Sequence, residues 1–382
     1  MLGGIPNSEI AQLHQYWQAF PQLHNALFVA KSAAYSELAI AKQDVNATIT
    51  QHSQVVEFVT AYNQAFDGTN GNSSFDDYLN NTLIQGWQAV NRNQQEPELS
   101  TELFTRLAPI ALIDKYQAYQ YLNNQWQLIS ADLEMMQTEG FAATKLVDPN
   151  IVVKKVKGKD TEVQDGWKGH IMPFDLVQQT YLSDDLAALA KQENRLVEIA
   201  STLEEILESL SEEDKEQDTV KESKDGFANA EVAKAAKAFL KEQKDSRVKF
   251  EKESYEAKII AANKLIDEDK ALKKAVKEAQ IALHLKTKTT IEELTDEQVN
   301  ELLNLKWIAP LSLELAAMPS AVITQLTSKV QALADKYSVT YSQVANEIKT
   351  TEQELADMMG ELTGNEFDLQ GLAELTSLLK GA

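Results

Sequence analysis

Five lysines in a short β-branched stretch are the clearest group of residues in this sequence that could bind an anion. Trp167 and His170 follow among them. Because lysine side chains contact the phosphates of nucleic acids, one interpretation is a phosphate-binding hairpin. The other, which the pattern favours, is a solvated turn whose lysines keep an edge strand from aggregating. The five residues are Lys154, Lys155, Lys157, Lys159 and Lys168.

Motifs for bond-making chemistry are absent from the sequence. There is no Gly-rich phosphate loop and no nucleophile elbow. The five histidines lack a partner at the i+3 or i+4 position, so they do not form a metal-binding helix face. The segment Asp148-Pro149-Asn150 lacks the second proline and the aromatic residue with which adenine methyltransferases hold a flipped base. We therefore predict no catalytic, cofactor-binding or metal-binding residue, although 58 acidic residues leave a carboxylate site open as an alternative.

The charge balance bears on the partners of the chain. With 36 basic and 58 acidic residues, the formal net charge is -22, and a polyanion would be repelled. Any nucleic-acid contact must therefore come from a local basic patch or from a partner protein. No stretch approaches the roughly 18 consecutive apolar residues of a membrane span, and no signal peptide is visible. Together with the absence of cysteine, this predicts a cytoplasmic protein with no membrane partner.

The sequence pattern predicts that most of the chain is helical, so helices must position the candidate residues. A seam from Leu182 to Leu210, which consists of leucines together with Glu193 and Ala200 in alternating steps of four and three, predicts one long helix, and a second is predicted from residue 230 to 285. Two such helices fold back on each other most simply, so residues 176–285 are predicted to form an antiparallel coiled-coil hairpin. The acidic stretch between them, residues 212–225, is predicted to be a solvated, mobile turn. The seam leucines are Leu182, Leu186, Leu189, Leu196, Leu203, Leu207 and Leu210.

The complete prediction is a mainly α fold in four consecutive segments. Residues 1–130 are predicted to form a helical domain, and residues 131–175 a small β-containing segment with the hairpin. The coiled-coil hairpin follows at 176–285, and carboxyl-terminal helices occupy 286–382. The leucine seam has two interpretations: it packs only within the hairpin, or it also leaves a face for helices of another subunit.

Three segments of the chain resemble the modification subunits of type I restriction-modification systems. Residues 1–6, Met-Leu-Gly-Gly-Ile-Pro, resemble the stretch that follows the catalytic domain of those subunits. Residues 166–177, which run into Tyr181 and Leu182, are similar to their Gly-Trp…Pro…Leu-Val…Tyr segment. The tripeptide Lys-Trp-Ile at 306–308, followed by a helical tail, is similar as well. The order and spacing of the three segments agree with the family across nearly the whole chain.

The resemblance implies a carboxyl-terminal fragment of an S-adenosylmethionine-dependent DNA adenine-N6 methyltransferase. In that family the catalytic residues lie upstream, so no catalytic residue and no cofactor is assigned to this fragment. The implied partners are the specificity subunit and the motor-nuclease (restriction) subunit, with DNA bound through the complex. The late helices of the family pack on the helical spacer of the specificity subunit, so Trp307 and Ile308 join the leucine seam as expected interface residues. The alternative is a stand-alone coiled-coil scaffold with no link to DNA.

Overall fold

The computed structural model describes residues 4–68, 73–156, 159–247, 249–338 and 341–379. It is 74% helical with two small sheets, which confirms the mainly α fold. The first half contains β1 (Ile5–Pro6), α1 (Asn7–Ile10), α2 (His14–Ala19), α3 (Pro21–Leu27), β2 (Phe28–Ala30), β3 (Tyr35–Leu38), α4 (Val45–Gln51), α5 (Ser53–Phe66), α6 (Phe75–Leu79), α7 (Arg92–Leu107), α8 (Lys115–Glu139), β4 (Val147–Val156) and β5 (Lys159–Gly169). The second half contains α9 (Phe174–Tyr181), α10 (Ser183–Glu208), α11 (Glu212–Lys215), α12 (Asn229–Ser246), α13 (Tyr255–Glu292), α14 (Asp296–Leu303), α15 (Ala309–Lys336), α16 (Tyr341–Gly360) and α17 (Glu366–Leu379).

The chain divides into two compact units rather than four consecutive segments. Unit 1 combines residues 1–131 with residues 307–382, and unit 2 comprises residues 132–306. The predicted boundary at residue 130 lies one residue from the boundary between the units, and both fall inside α8, which continues to Glu139. Residues from the two ends of the chain therefore share one unit, an arrangement that sequence-local patterns do not reveal.

Unit 1 is a helical core with a small antiparallel sheet in the order β1-β3-β2. The prediction of a purely helical first segment missed this sheet because its strands are only two to four residues long. Helix α15 belongs to the core of this unit. It buries Leu315 and Leu326, and the Tyr62 hydroxyl donates a 2.7 Å hydrogen bond to the carbonyl oxygen of Leu315.

One helical run, Asp296–Lys336, is long and apolar enough to cross a membrane by length and composition. Core helices of globular units pass the same test; a third of the apolar part of this run is buried, and Leu315 and Leu326 are among its buried side chains. The absence of a membrane partner stays a prediction.

Unit 2 is built on a pair of long antiparallel helices. Lys286 near the end of α13 lies 2.6 Å from Asp185 near the start of α10, and Lys258 donates a 2.8 Å hydrogen bond to the carbonyl of Ser209. The start of each helix thus lies beside the end of the other, as predicted for residues 176–285. The β4–β5 hairpin, with a register shift between Pro149 and Ile151, packs on α13.

The second long helix of the pair is shorter than predicted. Instead of running from 230 to 285 without a break, the chain forms α12, turns at Arg247 in a left-handed conformation (φ 56°), and starts again at α13. The turn lets α12 fold back on α13 and bury Val232 and Ala236. The prediction of one continuous helix is therefore wrong at this point.

The acidic stretch between α10 and α12 is folded and not a solvated turn. Ser211 and Asp214 form a capping box at α11, and Val220 pairs with Phe227 across an antiparallel bridge. We name residues 207–266 the tip module, because they share a hydrophobic core of their own. Its buried members are Leu207, Leu210, Val220, Phe227, Val232, Ala236, Ile259, Ile260 and Ala262.

Candidate interaction surfaces

The Gly166-Trp167 dipeptide attaches the root of the β hairpin to α13. The backbone N–H of Trp167 donates to Nε2 of His284 at 2.8 Å, and the ammonium of Lys288 lies 4.8 Å from the centroid of the indole ring. Gly166 has φ +76°, and a Cβ built there would lie 2.6 Å from the His284 ring. A glycine is needed here both for the backbone conformation and for the close approach of the imidazole.

His170 lies between two carboxylates at the base of the same hairpin. Its Nδ1 is 2.7 Å from Oδ2 of Asp148 on β4, and its Nε2 is 3.2 Å from Oε2 of Glu139 at the end of α8. The hydrogen bond to Asp148 raises the pKa of His170, and the charge of Glu139 acts in the same direction. Because the two carboxylates are on opposite sides of the ring, the three side chains form a linear ion-pair network. They do not converge on a position where a ligand could bind.

The predicted phosphate-binding lysines do not share one face of the hairpin. Lys154 and Lys155 are neighbours on β4 and therefore point to opposite faces. Lys154 forms a 3.0 Å ion pair with Asp165, and Lys155 lies opposite Asp160 in the strand register. Lys168 is exposed on β5.

The other two lysines of the cluster give no further support for phosphate binding. Lys157 and the side chain of Lys159 lie outside the described residues. Residues 147–169 contain four acidic residues against the five lysines, so the formal net charge of the hairpin is only +1. The arrangement favours the solvated-turn interpretation.

The leucine seam of α10 packs inside the chain. Leu182, Leu207 and Leu210 are buried, whereas the four leucines between them are half-buried against α13. In the middle of the helix the buried residue is Ile199, which the predicted seam left out. Glu193 lies at the exposed edge, where it accepts a 2.9 Å hydrogen bond from the amide of Gln280. The seam is thus largely used within unit 2, as the first of its two interpretations predicts.

The Lys-Trp-Ile tripeptide at 306–308 is buried. The ammonium of Lys306 lies 2.5 Å from Oδ2 of Asp132 and donates a 2.6 Å hydrogen bond to the carbonyl of Ile171. Trp307 and Ile308 are buried at 0% and 1% exposure. This placement corrects the expectation that they face a partner subunit, because their side chains are already covered within the chain.

A row of exposed apolar side chains runs along α16, and none of them was among the residues predicted for the interface. Helix α16 packs on α17 and buries Ala356 and Met359. A second face of α16 carries large apolar residues in steps of four, seven and three, which places them on one side of the helix. We name this set the α16 stripe. Its members are Val344, Ile348, Leu355 and Met358, between 40% and 59% exposed.

The exposed apolar surface continues beyond α16. Leu362, which follows the helix, and Phe367, Leu369 and Leu375 of α17 are exposed as well, Phe367 at 84%. Residues 341–379 contain eight acidic residues and one basic residue. The surface therefore combines apolar contact area with a strongly negative rim, a composition typical of a protein-binding site.

The comparisons with known proteins do not place the chain in a family. No family model, no curated protein and no solved structure matches it. Among the residues that the structure describes, no group of three His, Asp or Glu side chains is arranged to hold a metal ion.

Proposed function

We propose that this chain is the non-catalytic carboxyl-terminal region of a type I restriction-modification adenine-N6 methyltransferase subunit. In this proposal it assembles with the specificity subunit and so places the complex on DNA, where the motor-nuclease subunit joins for cleavage. The three resembling segments support the family. The observation that carries the docking role is the exposed α16 stripe.

The spacing of the stripe fits a helical partner. Apolar residues in steps of four, seven and three form the kind of seam that faces another helix in a coiled coil or helical bundle. Full burial of one such side chain contributes about 1.5–3 kcal/mol, so the four residues together supply a substantial part of a stable contact. A helical spacer in the specificity subunit, as the resemblance implies, is a partner of this shape.

The charge around the stripe favours a different protein over a second copy of the chain. Two copies would bring two rims of formal charge -7 together, and like charges across an interface are unfavourable. A partner helix with lysine or arginine beside its apolar seam complements the rim. The proposal therefore predicts that the interface is heteromeric and that its association rate falls as salt increases.

The test is co-purification of the 382-residue chain with the specificity subunit of the same system. The disrupting variant is I348D/L355D, which places two charges in the centre of the stripe. The matched control is V197D/I281D, because Val197 on α10 and Ile281 on α13 are at least as exposed, at 69% and 53%.

We expect the wild type and the control to form a complex and the stripe variant to lose at least 100-fold in affinity, since two buried charges cost several kcal/mol. Circular dichroism confirms that each variant is folded. Equal binding by the wild type and the stripe variant, or no binding by the folded wild type, would refute the docking role.

A further inference from the structure

Helix α12 in the tip module presents a row of lysines that no function proposed so far uses. The row follows the helix in steps of three, four and three, which places the side chains within a narrow arc of the helix surface. All of them are exposed, and they lie opposite the face that buries Val232 and Ala236 in the core of the tip module. We name this set the α12 lysine row. Its members are Lys234, Lys237, Lys241 and Lys244.

Most of the charge on this row is uncompensated. Lys234 forms an exposed 3.2 Å ion pair with Glu231. Within the described part of the chain, Lys237, Lys241 and Lys244 have no carboxylate in ion-pair distance. Some other lysines of unit 2, such as Lys273 with Asp269, are paired within their own helix. The row is therefore a local cationic surface with three ammonium groups available to a ligand.

The local charge balance is opposite to that of the whole chain. Residues 229–252 contain seven basic and four acidic residues, a formal charge of +3, whereas the whole chain carries -22. The preceding stretch, residues 212–225, has seven acidic residues, so the two parts of the tip module differ in sign. On α12 itself the four lysines stand beside three carboxylates, Glu231, Glu242 and Asp245, and the rest of the basic excess comes from the segment that follows the helix. A local excess of basic residues in an acidic protein is the kind of patch that nucleic-acid binding would require.

The dimensions of the row suit a nucleic-acid backbone. Ten residues of helix span about 15 Å, and the four side chains are spread over this length. Double-stranded DNA carries one charge per roughly 1.7 Å of its axis, so each lysine along such a row finds a phosphate. Leu240, 44% exposed, is a single apolar side chain beside the row and not the aromatic anchor that protein–protein contacts favour, and lysine is depleted from such contacts.

We propose that the α12 lysine row binds the phosphate backbone of double-stranded DNA without regard to sequence. The core of the tip module holds α12 so that its basic face points outward. This contact is separate from the docking role of α16, since it uses other residues and needs no partner protein. A chain that fails to bind the specificity subunit can therefore still bind DNA, and the reverse also holds.

The test measures binding of a fluorescein-labelled 30-base-pair duplex of arbitrary sequence to the 382-residue chain, by anisotropy at several salt concentrations. The disrupting variant is K237Q/K241Q/K244Q. The control is K191Q/K277Q/K349Q, which removes the same charge from three exposed lysines outside the row. Circular dichroism and urea unfolding confirm that both variants are folded.

Loss of three phosphate contacts is expected to reduce the slope of log affinity against log salt by roughly 2.7. Between 50 and 200 mM salt, the wild type then loses roughly 40-fold more affinity than the row variant. The control is expected to change the slope by less than about one. Equal effects of the two variants would overturn the proposal, as would a folded wild type that fails to bind the duplex at 25 mM salt. A third result would also overturn the proposal: the wild type self-associates without binding the duplex, and the row variant does not self-associate. The row would then bind the acidic stretch of a second copy.

Discussion

The ion pair between Lys306 and Asp132 gives the sharpest stability prediction. Its side chains are 11% and 8% exposed, and the ammonium group also binds the carbonyl oxygen of Ile171. Substitution D132A removes the carboxylate from a buried ammonium group that donates a hydrogen bond to the carbonyl oxygen of Ile171. Removal of one member of a buried pair typically costs about 3–5 kcal/mol, because the remaining charge has lost its partner and cannot regain water. For a unit of the size of residues 132–306, about 1 kcal/mol lowers Tm by 2–4 °C, so we expect a decrease of roughly 6–20 °C.

The assay is urea and thermal unfolding of the full chain, followed by circular dichroism. The control is D185A, which removes the carboxylate from the exposed pair with Lys286 and is expected to cost less than about 1 kcal/mol. The double variant D132L/K306M replaces both charges with apolar side chains and is expected to recover most of the lost stability. A D132A protein as stable as D185A would refute the argument that this pair is effectively buried.

Three further predictions concern the hairpin root and the tip module. Because the pKa of His170 is raised in the folded state, its contribution to stability is fully present below pH 6.5 and is lost as pH rises through the folded-state pKa. The H170Q variant should therefore show a smaller change of the urea midpoint between pH 5.5 and 8.5 than the wild type. An unchanged pH profile would contradict this. Substitution I259A removes a fully buried side chain and should cost about 2–5 kcal/mol, with faster hydrogen exchange in the tip module but not in unit 1, and uniform exchange across both would disprove a separate core. Substitution G166A forces a Cβ toward His284 and should release β5, seen as increased exchange of its amides, whereas wild-type protection would show that the close approach is not required.

Periodicity was sufficient to predict the helix pair of unit 2, because the pattern of Leu182 to Leu210 extends over several heptads. The turn at Arg247 was not predictable from the same pattern. Residues around it contain neither glycine nor proline, and arginine seldom adopts a left-handed conformation. The turn exists because it lets α12 bury Val232 against α13, a contact between residues distant in sequence. Val220 and Phe227 are core residues as well, but the acidic residues around them led to the prediction of a solvated turn.

The candidate sites show the same limit. The resemblance to the modification subunits assigned Trp307 and Ile308 to an interface, but only packing reveals that both residues are buried. The spacing of the α12 lysine row was visible in the sequence, since steps of three and four define one helix face. Its exposure depended on the orientation of α12, which the prediction of a single continuous helix had not established. The apolar periodicity of α16 was also visible, whereas the exposure of Ile348 and Leu355 was not.

The affinity of the chain for the specificity subunit of its own system tests the docking role most directly. Isothermal titration of the subunit with the wild type, I348D/L355D and V197D/I281D compares the α16 stripe with apolar residues that are at least as exposed. The proposed function predicts a one-to-one contact that only the stripe variant abolishes. If all three folded proteins bind the subunit equally, or if none of them binds it, the proposed function is contradicted.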